Sequence, residues 1–452
     1  MTKKIFFIAL FVSGIFGFTA KSQQLFDFSF ERDLSIQVKD SSGIPLKNPW
    51  AGGINAVHFN EIDLNFDGIM DLVTFDAQTE RLRTYINNGT ANTVDYVYAP
   101  QYEKGFPKIY SWMKLRDFNC DGKPDIFTYN FGGIKVYINV SSPTNGIVFK
   151  LYTPMINAYQ TPYVNNIMAT SVDYPAIHDI DGDGDLDILV FYGLGSFIKY
   201  YENLSMDNTG TCDTLWMRLN HNCWGYVFES EISNSMYLHI DSTDPAAAYY
   251  CHSTKGEQTL PLSDNNRKER HTGSTMTMLD LTNNGLQDLL LGDTDYPSII
   301  ALYNYGTLDT ARITMQDTFF PSYNLPINIY ALSNTDYIDV DNDGVKDLLA
   351  GVLDPGVTNH KIDNINNSWF YKNIGTNSLP VFSHQTKRFL QDGMIDVGSY
   401  AYPVLYDYNG NGLKDLFIGS YGLRDTSFYD PWLNLESTYR ARIWLYENTG
   451  TP

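Results

Sequence analysis

The sequence predicts an all-β chain built from a repeated small-sheet unit, and three observations predict it. A nine-residue acidic pattern recurs six times along the 452 residues, each copy running directly into a short apolar stretch of strand type. A second signature, a tyrosine followed closely by asparagine and usually glycine, trails each copy. Composition agrees, because 33 Tyr and 26 Phe against 18% charged residues suit short strands joined by polar turns.

The acidic copies run from Asp63 to Asp71, Asp117 to Asp125, Asp179 to Asp187, Asp280 to Asp288, Asp339 to Asp347 and Asp407 to Asp415. The apolar runs that follow are LVTF, IFTY, ILVF, LLLG, LLAG and LFIG. The trailing signatures start at Tyr85, Tyr137, Tyr201, Tyr303, Tyr371 and Tyr446, each preceded by a strand-like stretch. One unit therefore reads as strand, acidic loop, strand, turn, strand, Asn-Gly turn and outer strand. Short strands at such spacing point to a sandwich, a barrel or a propeller. Successive first aspartates lie 54, 62, 101, 59 and 68 residues apart. The long interval is read as an insertion, or a blade without its acidic loop, at about 205–271.

The chain ends carry two further expectations. Lys3 and Lys4, the apolar run Ile5 to Phe18 and the small-residue site Ala20-Lys21-Ser22 have the layout of a secretory leader over 1–22. The run is too short for a spanning helix, so 23–452 is expected to be exported as one domain without a membrane span. Leu25 to Leu34 resembles the outer strand Val381 to Leu390. It is predicted to complete the last sheet and close the ring, which removes exposed sheet edges.

The acidic pattern is D-x-[DN]-x-[DN]-G-x-x-D. Oxygen-bearing side chains at positions 1, 3, 5 and 9 of a tight loop can converge on one cation, and glycine at position 6 permits the turn. All-oxygen ligation suits calcium better than zinc or copper. The candidate ligands are Asp63, Asn65, Asp67 and Asp71; Asp117, Asn119, Asp121 and Asp125; Asp179, Asp181, Asp183 and Asp187; Asp280 and Asp288; Asp339, Asp341, Asp343 and Asp347; and Asp407, Asn409, Asn411 and Asp415. The third and fifth loops, with four carboxylates each at these positions, are expected to bind most tightly. The fourth, with Thr282 and Asn284, is expected to be weak. Strand residues follow position 9 directly, which excludes the helical calcium loop with the same opening. Nineteen aspartates lie in the six loops, against a net charge of −21, so metal ligation accounts for much of the acidity.

That charge excludes nucleic acid and anionic membrane as partners, since both need basic patches. Cys120, Cys212, Cys223 and Cys251 form no C-x-x-C pair. One local bridge among the last three is plausible, but the pairing is not readable. No nucleophile elbow or zinc-protease helix is present. His178 and His271 read as structural. Trp112, Trp216, Trp224, Trp369 and Trp432 are the candidate surface aromatics for ligand contact.

These loops, with their Tyr-Asn-Gly trailers over 23–452, resemble the FG-GAP/VCBS repeat family of integrin-α-like β-propellers, in its secreted bacterial type. The resemblance implies a ring of about seven four-stranded blades, with six to eight compatible with the long interval. It also implies calcium loops on one face, about four to six ions, and ligand contacts usually on the other face. The expected function is a secreted, monomeric calcium-binding module for extracellular glycan or protein ligands. The alternative is a polysaccharide lyase or hydrolase on the same scaffold, for which no catalytic residue is identified.

Overall fold

The structure, a computed structural model, describes residues 32–191, 197–230, 233–238, 273–294, 296–330, 332–353, 363–429 and 435–451. The expected leader, most of the expected closing strand, His271, Cys251 and Trp432 lie outside these. Two compact units divide the chain, 1–37 and 38–452, and every sheet belongs to the second.

Six sheets, antiparallel apart from one parallel pairing in the third, each carry one acidic loop between the first two of their own strands. Sheet one comprises β1 (Val57–Ile62), β2 (Asp71–Asp76), β3 (Arg81–Asn87) and β4 (Tyr96–Tyr98). Sheet two comprises β5 (Met113–Arg116), β6 (Asp125–Asn130), β7 (Gly133–Asn139) and β8 (Phe149–Thr153). A hairpin, β9 (Asn157–Gln160) and β10 (Tyr163–Asn166), extends sheet three, whose own strands are β11 (Ala176–His178), β12 (Asp187–Phe191), β13 (Ile198–Asn203) and β14 (Met217–His221). The helix α1 (Ser205–Thr209) lies between β13 and β14, and a two-stranded ribbon follows, β15 (Phe228–Glu229) and β16 (Met236–Tyr237). The fourth strand of sheet three thus comes from within the long interval. Sheet four comprises β17 (Ser274–Leu279), β18 (Asp288–Asp293), β19 (Ile300–Asn304) and β20 (Ile313–Asp317). Sheet five comprises β21 (Ser333–Ile338), β22 (Asp347–Val352), β23 (Trp369–Asn373) and β24 (Phe382–Thr386). Sheet six has three strands among the described residues: β25 (Tyr402–Tyr406), β26 (Asp415–Tyr429) and β27 (Leu435–Tyr446).

The second strands of sheets one, four and five are buried on both faces, matching their unbroken apolar runs. The first strands of five sheets are bonded in a circuit. Asn60 joins β1 to β5 through Met113 O and Leu115 N (3.3 and 2.8 Å), and Arg116 Nε donates to Ile177 O on β11 (3.3 Å). Tyr174, just before β11, exchanges backbone bonds with Ser274 and Met276 of β17 (2.8 and 2.9 Å). Thr275 and Thr277 donate their hydroxyls to Ser333 O and Thr335 O of β21 (2.5 and 2.6 Å). Phe59 N then donates to Asp336 Oδ2, and Asn334 Nδ2 to Val57 O (2.9 and 3.1 Å), which returns the circuit to β1. The arrangement is propeller-like. Because β21 bonds directly to β1, sheet six is not inserted between sheets five and one, where closure through the last sheet would have placed it.

At the centre of this circuit lies a buried polar group. Lys114 Nζ donates to Met276 O (2.9 Å) and sits 3.9 Å from the centre of the Tyr174 ring, whose hydroxyl donates to Asp336 Oδ1 (3.0 Å). His58 is fully buried beside Tyr174, with ring centres 4.5 Å apart.

Three of the tryptophans chosen as surface aromatics are not surface residues. Trp112, Trp224 and Trp369 are buried, and only Trp216 of the four described is exposed. Their size and apolar rings make them core fillers wherever the sheets converge. One disulfide is long-range, and Cys223 is disulfide-bonded as well. Cys120, inside the second acidic loop, bonds Cys212 across 92 residues, with Cα atoms 6.0 Å apart.

Candidate metal centre

Each acidic loop connects the inner strand of its sheet to the next strand, and the two ends of the motif do different work. The first aspartate folds the loop. In five loops it accepts the N–H of the position-6 glycine: Gly68, Gly122, Gly285, Gly344 and Gly412 donate to Asp63, Asp117, Asp280, Asp339 and Asp407 at 2.8–2.9 Å. In the third, Gly182 N donates to Asp179 instead (2.8 Å). The position-6 glycines all have positive φ, between 78° and 104°. Position 4 is left-handed as well, at Phe66, Cys120, Gly182, Asn283, Asn342 and Gly410. Gly or Asn at four of those six positions was the available signal, since both tolerate that conformation.

The last aspartate opens the second strand, is buried in all six sheets, and is a latch. One oxygen accepts the N–H of loop position 2, from Leu64, Phe118, Ile180, Leu281, Val340 and Tyr408 in turn (2.8–3.3 Å). The other accepts the N–H of the trailing asparagine, namely Asn87, Asn139, Asn203, Asn304, Asn373 and Asn448 (2.5–2.8 Å). In five sheets that asparagine's amide donates back to the carbonyl of position 8: Met70, Pro124, Gln287, Lys346 and Lys414 (2.9–3.2 Å). In the third it donates to Thr214 O (3.1 Å). The trailing signature is thus the second half of the loop's own hydrogen-bond scheme.

Three carboxylates converge in two of the loops among the described residues. Ligand atoms of Asp179, Asp181 and Asp187 lie within 4.8 Å of one another, as do those of Asp339, Asp341 and Asp347. These two clusters could hold a metal ion. Both loops have a buried carboxylate oxygen without a hydrogen-bond partner: Oδ1 of Asp341, inside the fifth-loop cluster, and Oδ1 of Asp185, at position 7 of the third loop and outside its three converging residues. An orphaned buried carboxylate oxygen is costly unless a cation meets it. Burial first, and then the neighbouring aspartates, push Asp181 up to about 6 and Asp187 up to about 8. Asp185 is pushed up to about 6 for the same first reason. Burial likewise raises the latch residues Asp71 (about 6) and Asp125, Asp288 and Asp347 (about 7). The donor set, all carboxylate oxygen, fits a hard divalent cation.

The other loops differ. Asn65 Nδ2 donates to Asp67 Oδ2 (2.8 Å), Lys123 Nζ lies 3.5 Å from Asp121, and Asn409 Nδ2 donates to Glu447 Oε1 (2.9 Å). Asp185, Glu202 and Lys372 are charged residues at the centres that the motif positions do not include.

Residues 117–190 match the FG-GAP-like repeat family, a span running from the second acidic loop through the third. The chain carries an FG-GAP-like repeat. No curated protein sequence matches the chain at a significant level. Three solved structures resemble it at low scores. One is an Agrocybe aegerita lectin that recognises non-reducing terminal N-acetylglucosamine (13% identity, TM-score 0.29, 87% of this chain and 86% of that one). Another is the Photorhabdus luminescens Tc holotoxin pore (13%, 0.27, 90% of this chain and 16% of that one). The third is the C-terminal domain of Pseudomonas aeruginosa PilY1 (11%, 0.25, 88% and 85%). Likenesses of this size carry no argument about ligand or partner, and the FG-GAP-like loops themselves remain the functional signal.

Proposed function

We propose that this chain is an exported binding module, stiffened by calcium in its FG-GAP-like loops, that meets a glycan or protein ligand through its sixth sheet. The observation that carries the reading is the bare aromatic face of that sheet. Tyr402, Val404 and Tyr406 of β25 are 60–66% exposed and Ile443 of β27 is 77% exposed, whereas the first strands of sheets one, four and five are almost wholly buried. At one end of this face, Tyr400, Tyr402, Tyr421, Gly419, Arg442 and Ile443 line a cavity of about 710 Å³. Gly419 pairs across the strands with Tyr402 and Ile443, and a Cβ there would meet nothing within 4 Å, so it forms an open floor between those two side chains. Tyrosine faces pack on the C–H faces of sugars or on apolar side chains, and Arg442 offers several donors at the rim.

Calcium is proposed on the oxygen-only donors of the third and fifth loops. Bound there, the ion would supply charge neutralisation and loop rigidity, with no step of chemistry asked of it. Export is supported by the Cys120–Cys212 disulfide, a bond that persists in oxidising compartments. The propeller-like ring is proposed to consist of sheets one to five, on the support of the hydrogen-bond circuit, with the sixth sheet presented beside it.

The test is a glycan array run beside a polysaccharide-degradation screen, on the wild-type chain and on Tyr402→Ala and Arg442→Ala. Binding without turnover, lost in both variants while their circular dichroism is unchanged, is the expected result. Release of cleavage products would favour the lyase or hydrolase alternative, and binding indifferent to both substitutions would move the ligand surface elsewhere.

A further inference from the structure

The third and fifth loops have the same carboxylate convergence but opposite charge beside it. In the fifth, Lys372 Nζ is ion-paired with Asp341 and with Asp343 (2.8 Å to the latter), the carboxylates of positions 3 and 5. The lysine is fixed by its neighbour, since Asn373 is latched to Asp347, and its side chain is 28% exposed. The residue in this place, just before the latching asparagine, is Ile86, Ile138, Glu202, Tyr303 and Glu447 in the other sheets. Only the fifth sheet puts a cation there. In the third, Glu202 adds a carboxylate instead, held by Arg218 and Asn220.

We propose that Lys372 is a tethered counter-ion of the fifth loop, so that a divalent ion binds there only by displacing the ammonium and binds more weakly than at the third loop. The inference rests on the metal reading of these loops. A single ammonium engages one oxygen of Asp341 and leaves its other oxygen, Oδ1, buried and unpartnered. It therefore neutralises the cluster in part, and a divalent ion of higher charge can still compete. At the four motif positions the two loops carry the same carboxylates; Lys372 beside the fifth, and Asp185 and Glu202 at the third, separate them.

The device has a structural use. The fifth loop stitches sheet five to sheet one: Asn342 exchanges amide bonds with Asn87 (2.8 and 3.1 Å), and Thr93 N donates to Asp341 O (2.8 Å). With Lys372 in place, this seam keeps its loop geometry at low calcium. The third loop is not involved in that seam and carries no such substitute.

The experiment compares chelated wild-type, Lys372→Met and Asp181→Asn proteins by calcium titration calorimetry and by melting with and without calcium. In Lys372→Met the weaker site should tighten about tenfold or more. Its calcium-free form should melt below calcium-free wild type, with the gap closing when calcium is added. Asp181→Asn should lose the tight site and keep the weak one. Lys372→Gln provides the same comparison should the methionine variant fail to fold. Unchanged affinities and unchanged calcium-free melting in the lysine variants would overturn the tethered counter-ion alone. Absence of calcium binding by every protein would overturn the metal reading beneath it as well.

Discussion

Asn139 illustrates how a single residue type came to mark each repeat. Its N–H is held by Asp125, its amide N–H₂ by Pro124 O, and its own oxygen accepts from Ser141 N (3.0 Å). The same roles recur from Asn87 to Asn448, so the Tyr-Asn-Gly signature is a hydrogen-bond requirement rather than a turn preference alone. Replacing Asn139 by Ala strands a buried carbonyl and a backbone N–H and should cost roughly 1–3 kcal/mol in urea unfolding. His58 gives a pH prediction. Burial, and then the nearby Lys114, depress it to about 3, with the rings of Tyr174 and Phe75 also close by. A depressed folded pKa means that the unfolded chain takes up the proton first. The stability is therefore full above about 6.5 and declines as pH falls from there toward 3. His58→Phe should flatten that decline when melting is followed from pH 7 to pH 4; parallel curves for the two proteins would contradict it.

At the scale of the element, the acidic loop was the most legible part of the chain. Positions 1, 3, 5, 6 and 9 repeat in residue type, and strand residues follow at once. What the pattern could not separate was folding from ligation. The position-1 and position-9 aspartates of all six loops are engaged with backbone N–H groups, yet three carboxylates meet only in the third and fifth among the described residues. Side-chain composition cannot reveal that Asn409 turns to Glu447 or that Lys372 turns to Asp341. The difference predicts a ranking. Asp181→Ala should lower the calcium-bound melting temperature clearly more than Asn409→Ala, and equal shifts would contradict it. The sixth sheet was legible as strands, but its exposure was not, because Tyr402–Tyr406 reads like any other inner strand. Three of the four described tryptophans, Trp112, Trp224 and Trp369, misled for the converse reason: large aromatics fill convergent cores as readily as they line ligand surfaces.

For the whole molecule, the circuit of five first strands and the Cys120–Cys212 bond are both long-range facts, set by where blades meet rather than by local pattern. The disulfide ties the second loop to the segment that follows α1, and α1 itself meets the third loop through Met206 N and Asp185 (2.8 Å). Cys120→Ser with Cys212→Ser should therefore lower stability by up to about 4 kcal/mol, the order expected for releasing a long closed loop. The most direct test of the central claim, that carboxylate loops hold divalent ions and thereby stiffen the sheets, is calcium content measured with the melting temperature before and after chelation. The account predicts protein-bound calcium and a melting temperature that falls on chelation and recovers when calcium is returned. Metal-free protein whose melting curve is the same with calcium and with chelator would contradict it.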